Sequence, residues 1–501
     1  MAVTPTAARI TRARTPWARD YRPVRGKLNI FDVIPKAEHA AIMARASTYN
    51  ATADLQTAFA AGLSLVIPKG TYKIADTIAL GSVTGRRING DGGGRGGAGE
   101  VRFSWAGAND RPMFSLNDCS RVRFGGFTIT ASTTNPLLVG VRTQNLAATA
   151  TVTSTENVFT DIAMDGTNGG IGKGFQSFAD GVTAIDGNND FMRFEDCEVS
   201  NYGIAGWSFE HSQAYTNLLL NCFARGGAIG QYGVASGIGG SSQGGSFHWF
   251  GGGMTLNTVS DFYVGSSGDA ISIKGLDSEG SAKLLLTAGP LSAPIPMRIE
   301  SVRWAHAGFL AADKYFIDVM NPGPLTVVNS RFPDSGSGNA MAIRMSPGGT
   351  QRGQITVKNN YIETTVAKDS LVALGGSGLV DIEMRGNYGL NRATSLNVTY
   401  DTIRPRGSIQ TPTYATSFTP NPLKGSTIKV GPLTGTTTIG AVGAAGAVAG
   451  QEMTLLIYQD ATGGRAVNFN AVYLNTPTVN TAANAITVAR FICDGTNWIG
   501  G

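Results

Sequence analysis

Two carboxylates with one residue between them, Asp277 and Glu279, have a spacing that could support catalysis. Alternate residues of a β-strand face the same way, which would place these side chains about 6 to 7 Å apart. Hydrolysis of a glycosidic bond uses a pair of carboxylates, about 5 to 5.5 Å apart in retaining enzymes and about 6.5 to 9.5 Å apart in inverting ones. We therefore predict Asp277 and Glu279 as general acid and base, with ordinary solvated surface residues as the alternative interpretation.

Other acids of the same middle region are further candidates for this chemistry. Glu195 and Glu300 each directly precede the small or polar position of a repeated sequence pattern, which predicts that both face outward, although several repeats separate them. The remaining outward-facing acids predicted for this region are Asp186, Asp190, Glu198 and Glu210.

Four aromatic residues fall in the same middle region as the acids: Trp207, Tyr215, Trp249 and Tyr263. Aromatic rings combine a large apolar face with a polar tip and lose little entropy on binding, so they are common in sugar-binding grooves. We predict that these four bind substrate. Each could instead pack in a core or in an interface between subunits.

The sequence contains no pattern typical of a metal or cofactor site. Histidine occurs at positions 39, 211, 248 and 306, without metal-ligand spacing. Cysteine occurs at positions 119, 197, 222 and 493, and no two cysteines form a CxxC pair. Cys197 and Cys222 occupy the same position of adjacent repeats, which predicts buried, stacked free thiols. We predict no cofactor.

The elements that must position these residues are revealed by a repeat. Between Phe124 and Met384 an apolar residue is followed two positions later by Asp, Asn, Gly or Ser, and the pattern recurs every 23 to 35 residues. Such a period indicates stacked supersecondary units. The small or polar position falls at residues 126, 161, 196, 221, 252, 275, 301, 329, 359 and 386.

Short strands and tight turns in each repeat predict a β-solenoid with one continuous core. The apolar position should form an interior ladder, and the polar position should mark a turn with unusual backbone angles. On this basis Asp161 and Asp196 are structural residues. The predicted ladder consists of Phe124, Phe159, Phe194, Phe250, Ile273, Ile299, Val327 and Val357.

Composition narrows the class of protein. The chain has 501 residues, 67 of them glycine, with 15% charged residues and a net charge of +5. The charge is mild and aromatic residues do not alternate with a basic stripe, so we expect no nucleic-acid partner. No apolar run is long enough to span a bilayer, and the N-terminus lacks the apolar core of a signal peptide. We therefore expect that the protein does not insert into a membrane. We also expect that it is made in the cytoplasm without a signal peptide.

The chain divides into five predicted regions. Residues 1–36 form a basic, proline-containing arm that could dock on another protein, and residues 37–100 hold a capping helix and the first rungs. Residues 101–404 form the solenoid, residues 405–420 a linker, and residues 421–501 a small β domain. Thr52 is the predicted N-cap of the capping helix. Asp494-Gly495 predicts a hairpin near the C-terminus.

One stretch resembles a known family. The run TADLQTAFAAGLSLVIPKGTYKIADTIAL, followed by INGDGGG, resembles the start of the pectate-lyase-like right-handed β-helices, most closely those of bacteriophage tailspikes and related virion spikes. The resemblance, which covers roughly residues 30 to 390, implies an all-β protein, a right-handed parallel β-helix. It also implies a homotrimer on the virion surface that binds a bacterial surface polysaccharide, capsule or lipopolysaccharide. In that family small C-terminal β modules help to form the trimer or contact the host, and the basic arm would anchor the spike to the virion.

Enzyme motifs of the same fold are missing from this sequence. It has neither the calcium-binding carboxylate cluster of pectate lyases nor the Asn-Thr-Asp, Asp-Asp, Gly-His-Gly and Arg-Ile-Lys motifs of polygalacturonases. Whether the spike cleaves the polysaccharide or only binds it stays open. Two alternatives also stay open: a secreted polysaccharide lyase or glycoside hydrolase, and a structural adhesin without a glycan site.

Overall fold

The computed structural model describes most of the chain, in segments. The described residues are 26–92, 100–145, 154–178, 189–211, 214–226, 230–236, 245–265, 270–287, 295–305, 315–320, 323–332, 341–346, 352–362, 372–374, 379–385, 387, 402–403, 409–420, 426–442 and 449–501. Most of the predicted basic arm, and the candidate acid Asp186, lie outside these residues.

Within the residues that the structure describes, the helices lie at the N-terminal end and are followed by a long series of strands. The helices are a 3-10 helix at Ile30–Asp32, α1 (Lys36–Met43) and α2 (Thr52–Ala60). The strands before the C-terminal module are β1 (Lys27–Asn29), β2 (Ser64–Ile67), β3 (Gly70–Ile74), β4 (Ile78–Gly81), β5 (Arg87–Gly90), β6 (Val101–Trp105), β7 (Pro112–Asn117), β8 (Arg123–Thr130), β9 (Leu137–Gln144), β10 (Val158–Asp165), β11 (Ile171–Phe178), β12 (Arg193–Glu195), β13 (Glu198–Ser200), β14 (Tyr202–Phe209), β15 (Asn217–Leu220), β16 (Phe223–Arg225), β17 (Tyr232–Ser236), β18 (Phe247–Phe250), β19 (Gly253–Thr255), β20 (Ser260–Val264), β21 (Ile271–Lys274), β22 (Asp277–Glu279), β23 (Leu285–Thr287), β24 (Met297–Glu300), β25 (Arg303–Ala305), β26 (Tyr315–Val319), β27 (Pro324–Val328), β28 (Arg331–Phe332), β29 (Met341–Met345), β30 (Arg352–Lys358), β31 (Tyr361–Ile362), β32 (Val372–Leu374), β33 (Leu379–Arg385) and β34 (Thr402–Ile403).

These strands form a parallel β-helix. In a typical coil, β12 and β13 belong to a 23-stranded sheet, and β14 belongs to an 11-stranded sheet. Each strand pairs in parallel with the equivalent strand of the next coil, as β14 does with β17. Both sheets direct alternate side chains inward, and a single apolar core runs through the coils. The structure confirms the predicted class of fold.

The interior ladder follows the predicted repeat with one correction. Phe194, Leu219, Trp249 and Ile273 are paired in register along the first strands of successive coils, and each is at most 4% exposed. Phe250 was expected in the ladder, but it is 36% exposed because Trp249 takes the inward position. The predicted alignment of the repeat FGGG, which starts at Phe250, is therefore wrong by one residue. Gly251, and not Gly252, takes the turn position equivalent to Asn221.

Turn geometry explains why the repeat has a small or polar residue at one fixed position. Asp161, Asp196 and Asn221 have φ angles of 51°, 53° and 50°, in the left-handed region that Asp, Asn and Gly tolerate best. Asn221 also donates a hydrogen bond of 2.6 Å from Nδ2 to Oδ1 of Asp196 in the preceding coil. These acids are structural, as the sequence predicted. Position 386 lies outside the described residues.

The N-terminal end of the solenoid is closed by the helices. Leu55, Ala58 and Phe59 of α2 are buried against the first coils, as a cap requires. Its N-cap is Ala51, whereas Thr52 was predicted; the Thr52 hydroxyl instead accepts a hydrogen bond of 2.8 Å from the amide of Ala75. This bond ties the helix to the strand beside it.

Residues from Lys27 onward belong to this cap and not to a separate arm. Strand β1 pairs with β2, with Lys27 opposite Ser64, and Ile30 is fully buried. The predicted boundary at residue 36 therefore lies too far along the chain.

A β module with its own apolar core follows the β-helix along the chain. Its strands are β35 (Ile409–Gln410), β36 (Ser417–Phe418), β37 (Thr427–Leu433), β38 (Thr437–Ile439), β39 (Glu452–Gln459), β40 (Val467–Phe469), β41 (Tyr473–Leu474), β42 (Ile486–Cys493) and β43 (Trp498–Gly500). They form a six-stranded and a three-stranded sheet around a second apolar core. β35 and β36 pair with strands of the module, so the predicted linker contributes to it. The predicted hairpin at Asp494-Gly495 joins β42 to β43.

Within the described segments, no helix has the length and apolar character needed to cross a bilayer. The described cysteines Cys119, Cys197, Cys222 and Cys493 are free and buried, which confirms the prediction for Cys197 and Cys222.

Candidate functional site

Asp277 and Glu279 lie on the outer surface, as predicted. They flank Ser278, which points inward from β22 and is buried, so both carboxylates face solvent on the same side of the strand. Asp277 is 3.8 Å from the guanidinium of Arg303 in the next coil, and its side chain is 70% exposed. The geometry of the pair is that of alternate residues in an exposed strand, and their catalytic role stays a prediction.

Glu195 and Glu300 face outward too, but the structure does not bring them together. They occupy the same column of the 23-stranded sheet with β15, β18 and β21 between their strands, so about 19 Å separates them. That distance exceeds what paired carboxylates need.

Glu195 and Glu300 are each held by cations. Arg193 bonds Glu195, while Arg298 and Lys274 lie 3.0 and 3.4 Å from Glu300. The hydrogen bond from Arg298, followed by that from Lys274, lowers the pKa of Glu300. A carboxylate held ionised in this way is a poor general acid.

Trp207 and Trp249 lie inside the β-helix, which corrects the prediction that they bind substrate. Both are 0% exposed, and their rings contact each other edge to face with centroids 5.4 Å apart. Trp207 is in register with the inward residues Phe175 and Val234, so the alternation of the strand sends its ring into the core. Their function is packing.

Tyr263 is the predicted binding residue that the structure places best. It lies half-buried on the outer face of the 11-stranded sheet. Its ring centroid is 4.6 Å from that of Tyr232, one strand away. Tyr215 is also half-buried, but it lies in no strand, two residues before β15 of the 23-stranded sheet. The structure therefore brings Tyr263 together with Tyr232, a residue that the sequence analysis did not single out.

A buried polar cluster lies on the same outer face, on one side of these tyrosines. The Glu210 carboxylate accepts hydrogen bonds from Lys173 Nζ at 2.5 Å, from Gln176 Nε2 at 2.9 Å and from the Ser208 hydroxyl. Glu210 is only 8% exposed. The sequence analysis predicted Glu210 as an outward-facing acid but not its partners. Lys173 and Gln176 belong to β11 and Ser208 to β14, so the register between neighbouring coils brings these side chains to Glu210.

A second ionic cluster lies on the other side of the tyrosines. Lys283 Nζ is 2.8 Å from Asp318, and Arg344 binds the same carboxylate with a bond of 2.7 Å from Nε. Burial by itself would raise the pKa of Asp318, but hydrogen bonds from Arg344 and Lys283 outweigh it and the pKa is lowered. The Arg344 guanidinium also lies 4.3 Å above the ring of Tyr315.

These residues make up a continuous surface that we call the tyrosine face: Tyr232, Tyr263 and Tyr315 on the outer side of the 11-stranded sheet, with the clusters around Glu210 and Asp318. Rings beside fixed hydrogen-bonding groups are suited to hold a sugar chain. Four strand spacings, about 19 Å, separate the strands of Glu210 and Asp318, which is too far for paired catalysis. The two clusters therefore cannot act together as a catalytic pair.

The described residues contain no group of three His, Cys, Asp or Glu side chains placed to hold a metal ion.

The C-terminal module matches a known family. Residues 414–498 match the model of the phage tail fibre C-terminal domain. No curated protein matches the chain. The match bears out the resemblance to phage spikes and fibres for this part of the chain.

Solved structures of several β-helical proteins are similar to this chain. The N-terminal fragment of gene product 12 from bacteriophage Phi29 is 11% identical over 78% of this chain and 75% of its own, with a TM-score of 0.42. The Dettilon tailspike protein is 12% identical over 75% and 68%, with a TM-score of 0.38. The catalytic domain of a GH87 alpha-1,3-glucanase, in complex with nigerose, is 10% identical over 70% and 66%, with a TM-score of 0.41.

Proposed function

We propose that this protein is a phage-type spike or tail-fibre protein of the virion surface that binds a bacterial surface polysaccharide, either capsule or lipopolysaccharide. The observation that carries the proposal is the match of residues 414–498 to phage tail fibre C-terminal domains, directly after a parallel β-helix in the same chain. A long solenoid offers an extended surface along which a polymer can lie.

The polysaccharide is proposed to lie on the tyrosine face. Tyr232 and Tyr263 supply apolar ring surface, and the flanking clusters supply fixed donors and acceptors whose side chains are already ordered by ion pairs. Because these groups are held before the ligand arrives, binding loses less conformational entropy.

Binding of purified polysaccharides from a host panel tests this proposal. Tyr263→Ala removes a ring from the tyrosine face and should weaken binding of the recognised polysaccharide about tenfold, which corresponds to about 1.4 kcal/mol. Tyr361→Ala is the matched control, because this tyrosine is 48% exposed on the other sheet. Equal affinities for both variants would exclude the tyrosine face, and the absence of any bound polysaccharide would exclude the function itself.

Cleavage of the bound glycan is a separate step, for which Asp277 and Glu279 remain the proposed acid and base. Asp277→Asn and Glu279→Gln keep the side-chain size and remove the carboxylates. Each should lower the release of reducing ends by at least about a hundredfold if the pair is catalytic. If the unaltered protein binds the polysaccharide tightly but releases no product, the protein is a spike that only recognises the glycan. The catalytic role proposed for Asp277 and Glu279 is then excluded.

The chain is further proposed to form a homotrimer anchored to the virion through residues before Lys27. An exposed apolar surface on the six-stranded sheet supports self-association: Ile486, Val488, Ile492 and Ile499 are 38% to 54% exposed on one face. Arg490 and Glu452 lie among them on adjacent strands, so two copies could pair opposite charges around the apolar residues. Aliphatic side chains of this kind suit another protein surface better than a sugar.

A further inference from the structure

A groove in the C-terminal module lies apart from the tyrosine face. It has a volume of about 550 Å³ and runs between strand β40 with the residues beside it, 466–471, and the segment 476–481. Volumes of this size are typical of small-molecule sites. All residues that line the groove fall within the described range 449–501.

The lining has a distinct chemistry. Half-buried Phe469 gives it an aromatic wall, and Tyr473, whose ring centroid lies 5.7 Å from that of Phe469, is buried in the core of the module at 5% exposed. Asn468, Thr478 and Thr481 are exposed along the groove. None of the residues that line the groove is charged.

This chemistry favours an uncharged ligand that is rich in hydroxyl groups. Amide and hydroxyl side chains both donate and accept hydrogen bonds, as sugar hydroxyls do, and an aromatic wall can face the apolar side of a sugar ring. A carboxylate or phosphate ligand would find no cationic side chain in the groove to balance its charge.

Strand β40 adds backbone groups to the groove. It is the outer strand of the three-stranded sheet, and its pairing with β38 uses the carbonyl of Ala466 and the amide of Asn470. In a parallel pair the residues between, Val467 and Phe469, direct their N–H and C=O groups to the open side. An added peptide strand could use the same groups, but β40 is only three residues long and offers few such bonds.

We propose that this groove is a second carbohydrate site, which binds an uncharged sugar unit of the surface polysaccharide. The inference rests on the proposed function, in which the spike recognises a glycan, and it adds a site and a ligand class to it. Two separated sites on one polymer raise the overall affinity, because the second contact forms within a complex that is already tethered.

The test uses the full chain and saturation-transfer NMR with glucose, galactose, N-acetylglucosamine and glucuronate, in a Tyr263→Ala background that weakens the tyrosine face. At least one neutral sugar should bind, and glucuronate should bind more weakly. Asn468→Ala combined with Thr478→Ala should weaken that neutral sugar about tenfold, since it removes side-chain hydrogen bonds from an exposed rim. Thr496→Ala, also exposed in this module, is the matched control and should leave binding unchanged.

Three outcomes would overturn the inference: equal binding by the double variant and the control, glucuronate binding as tightly as any neutral sugar, or tighter binding of the strand-forming peptide Thr-Val-Thr-Val-Thr than of every sugar. Its failure is distinguishable from that of the proposed function. If the intact polysaccharide binds and only Tyr263→Ala weakens it, the groove is excluded and the spike function stands. If no polysaccharide binds, the proposed function fails.

Discussion

At the scale of single residues, burial decides what each carboxylate of this protein can do. Asp277 is exposed and sits 3.8 Å from one arginine, whereas Asp318 is buried and binds two cations. Asp261 is a third case: it is 0% exposed and accepts hydrogen bonds from the neutral side chains of Asn257 and Ser278. Removing a carboxylate from water without a countercharge favours its protonated form.

The buried acid Asp261 should make the stability of the β-helix depend on pH. Burial, opposed by hydrogen bonds from Ser278, Ser281 and Asn257, raises its pKa to about 6. The unfolded chain releases this proton near pH 4, at the ordinary pKa of about 3.9. Between about pH 4 and pH 6 the folded state therefore binds more protons, and its stability falls as pH rises through this window.

Asp261→Asn tests this expectation, because the amide keeps the size of the side chain and cannot ionise. The unaltered protein should lose about 2 to 3 kcal/mol of unfolding free energy between pH 4 and pH 8 relative to the variant. Urea unfolding at several pH values measures the difference. Parallel pH profiles for the two proteins would show that Asp261 does not titrate in this range.

At the scale of elements, a buried arginine satisfies carbonyls at the C-terminal end of the capping helix α2. Arg86 is 4% exposed and donates hydrogen bonds to the carbonyls of Leu63, at 2.6 Å, and of Phe59, at 2.5 Å. The last carbonyls of a helix have no partner within the helix, so a buried guanidinium at this end satisfies groups that would otherwise be orphaned.

Arg86→Ala should therefore destabilise the cap by about 3 kcal/mol, since it leaves buried carbonyls without a donor. Arg87→Ala is the matched control, because Arg87 is the next residue, the first of β5, and is exposed; it should change stability by less than about 0.5 kcal/mol. Urea unfolding of both variants measures the effect. If both lose the same stability, Arg86 does not hold the helix.

At the scale of the whole molecule, the apolar surface of the six-stranded sheet should control assembly. Ile492 is 54% exposed and pairs with Ile499 on the neighbouring strand, so a charge there would have to be buried in any interface on this face. Ile492→Asp should shift the particle mass from a trimer toward a monomer in light scattering. Met43→Asp, 55% exposed on helix α1, is the control and should leave the mass unchanged.

A particle mass of one chain for the unaltered protein would contradict the proposed trimer. A trimer that persists in Ile492→Asp would show that the subunit interface lies elsewhere.

The stacking of the chain into repeats could be predicted from the amino-acid sequence alone. The period of the repeat predicted a β-solenoid, and the Asp, Asn and Gly positions predicted the turns, because few other residues tolerate their φ angles of about 50° to 75°. Both features depend on local rules that each repeat carries. The shift at FGGG was missed because adjacent apolar residues, Trp249 and Phe250, leave the inward position ambiguous.

Which outward residues meet depends on the tertiary structure. Lys173 and Glu210 are 37 residues apart, and Lys283 and Asp318 are 35 apart, yet each pair forms an ion pair across the 11-stranded sheet. The loops between coils vary in length, so the register that aligns these side chains cannot be counted from the repeat. The tyrosine face arises from this alignment of distant segments, because tertiary contacts join residues that local sequence rules treat separately.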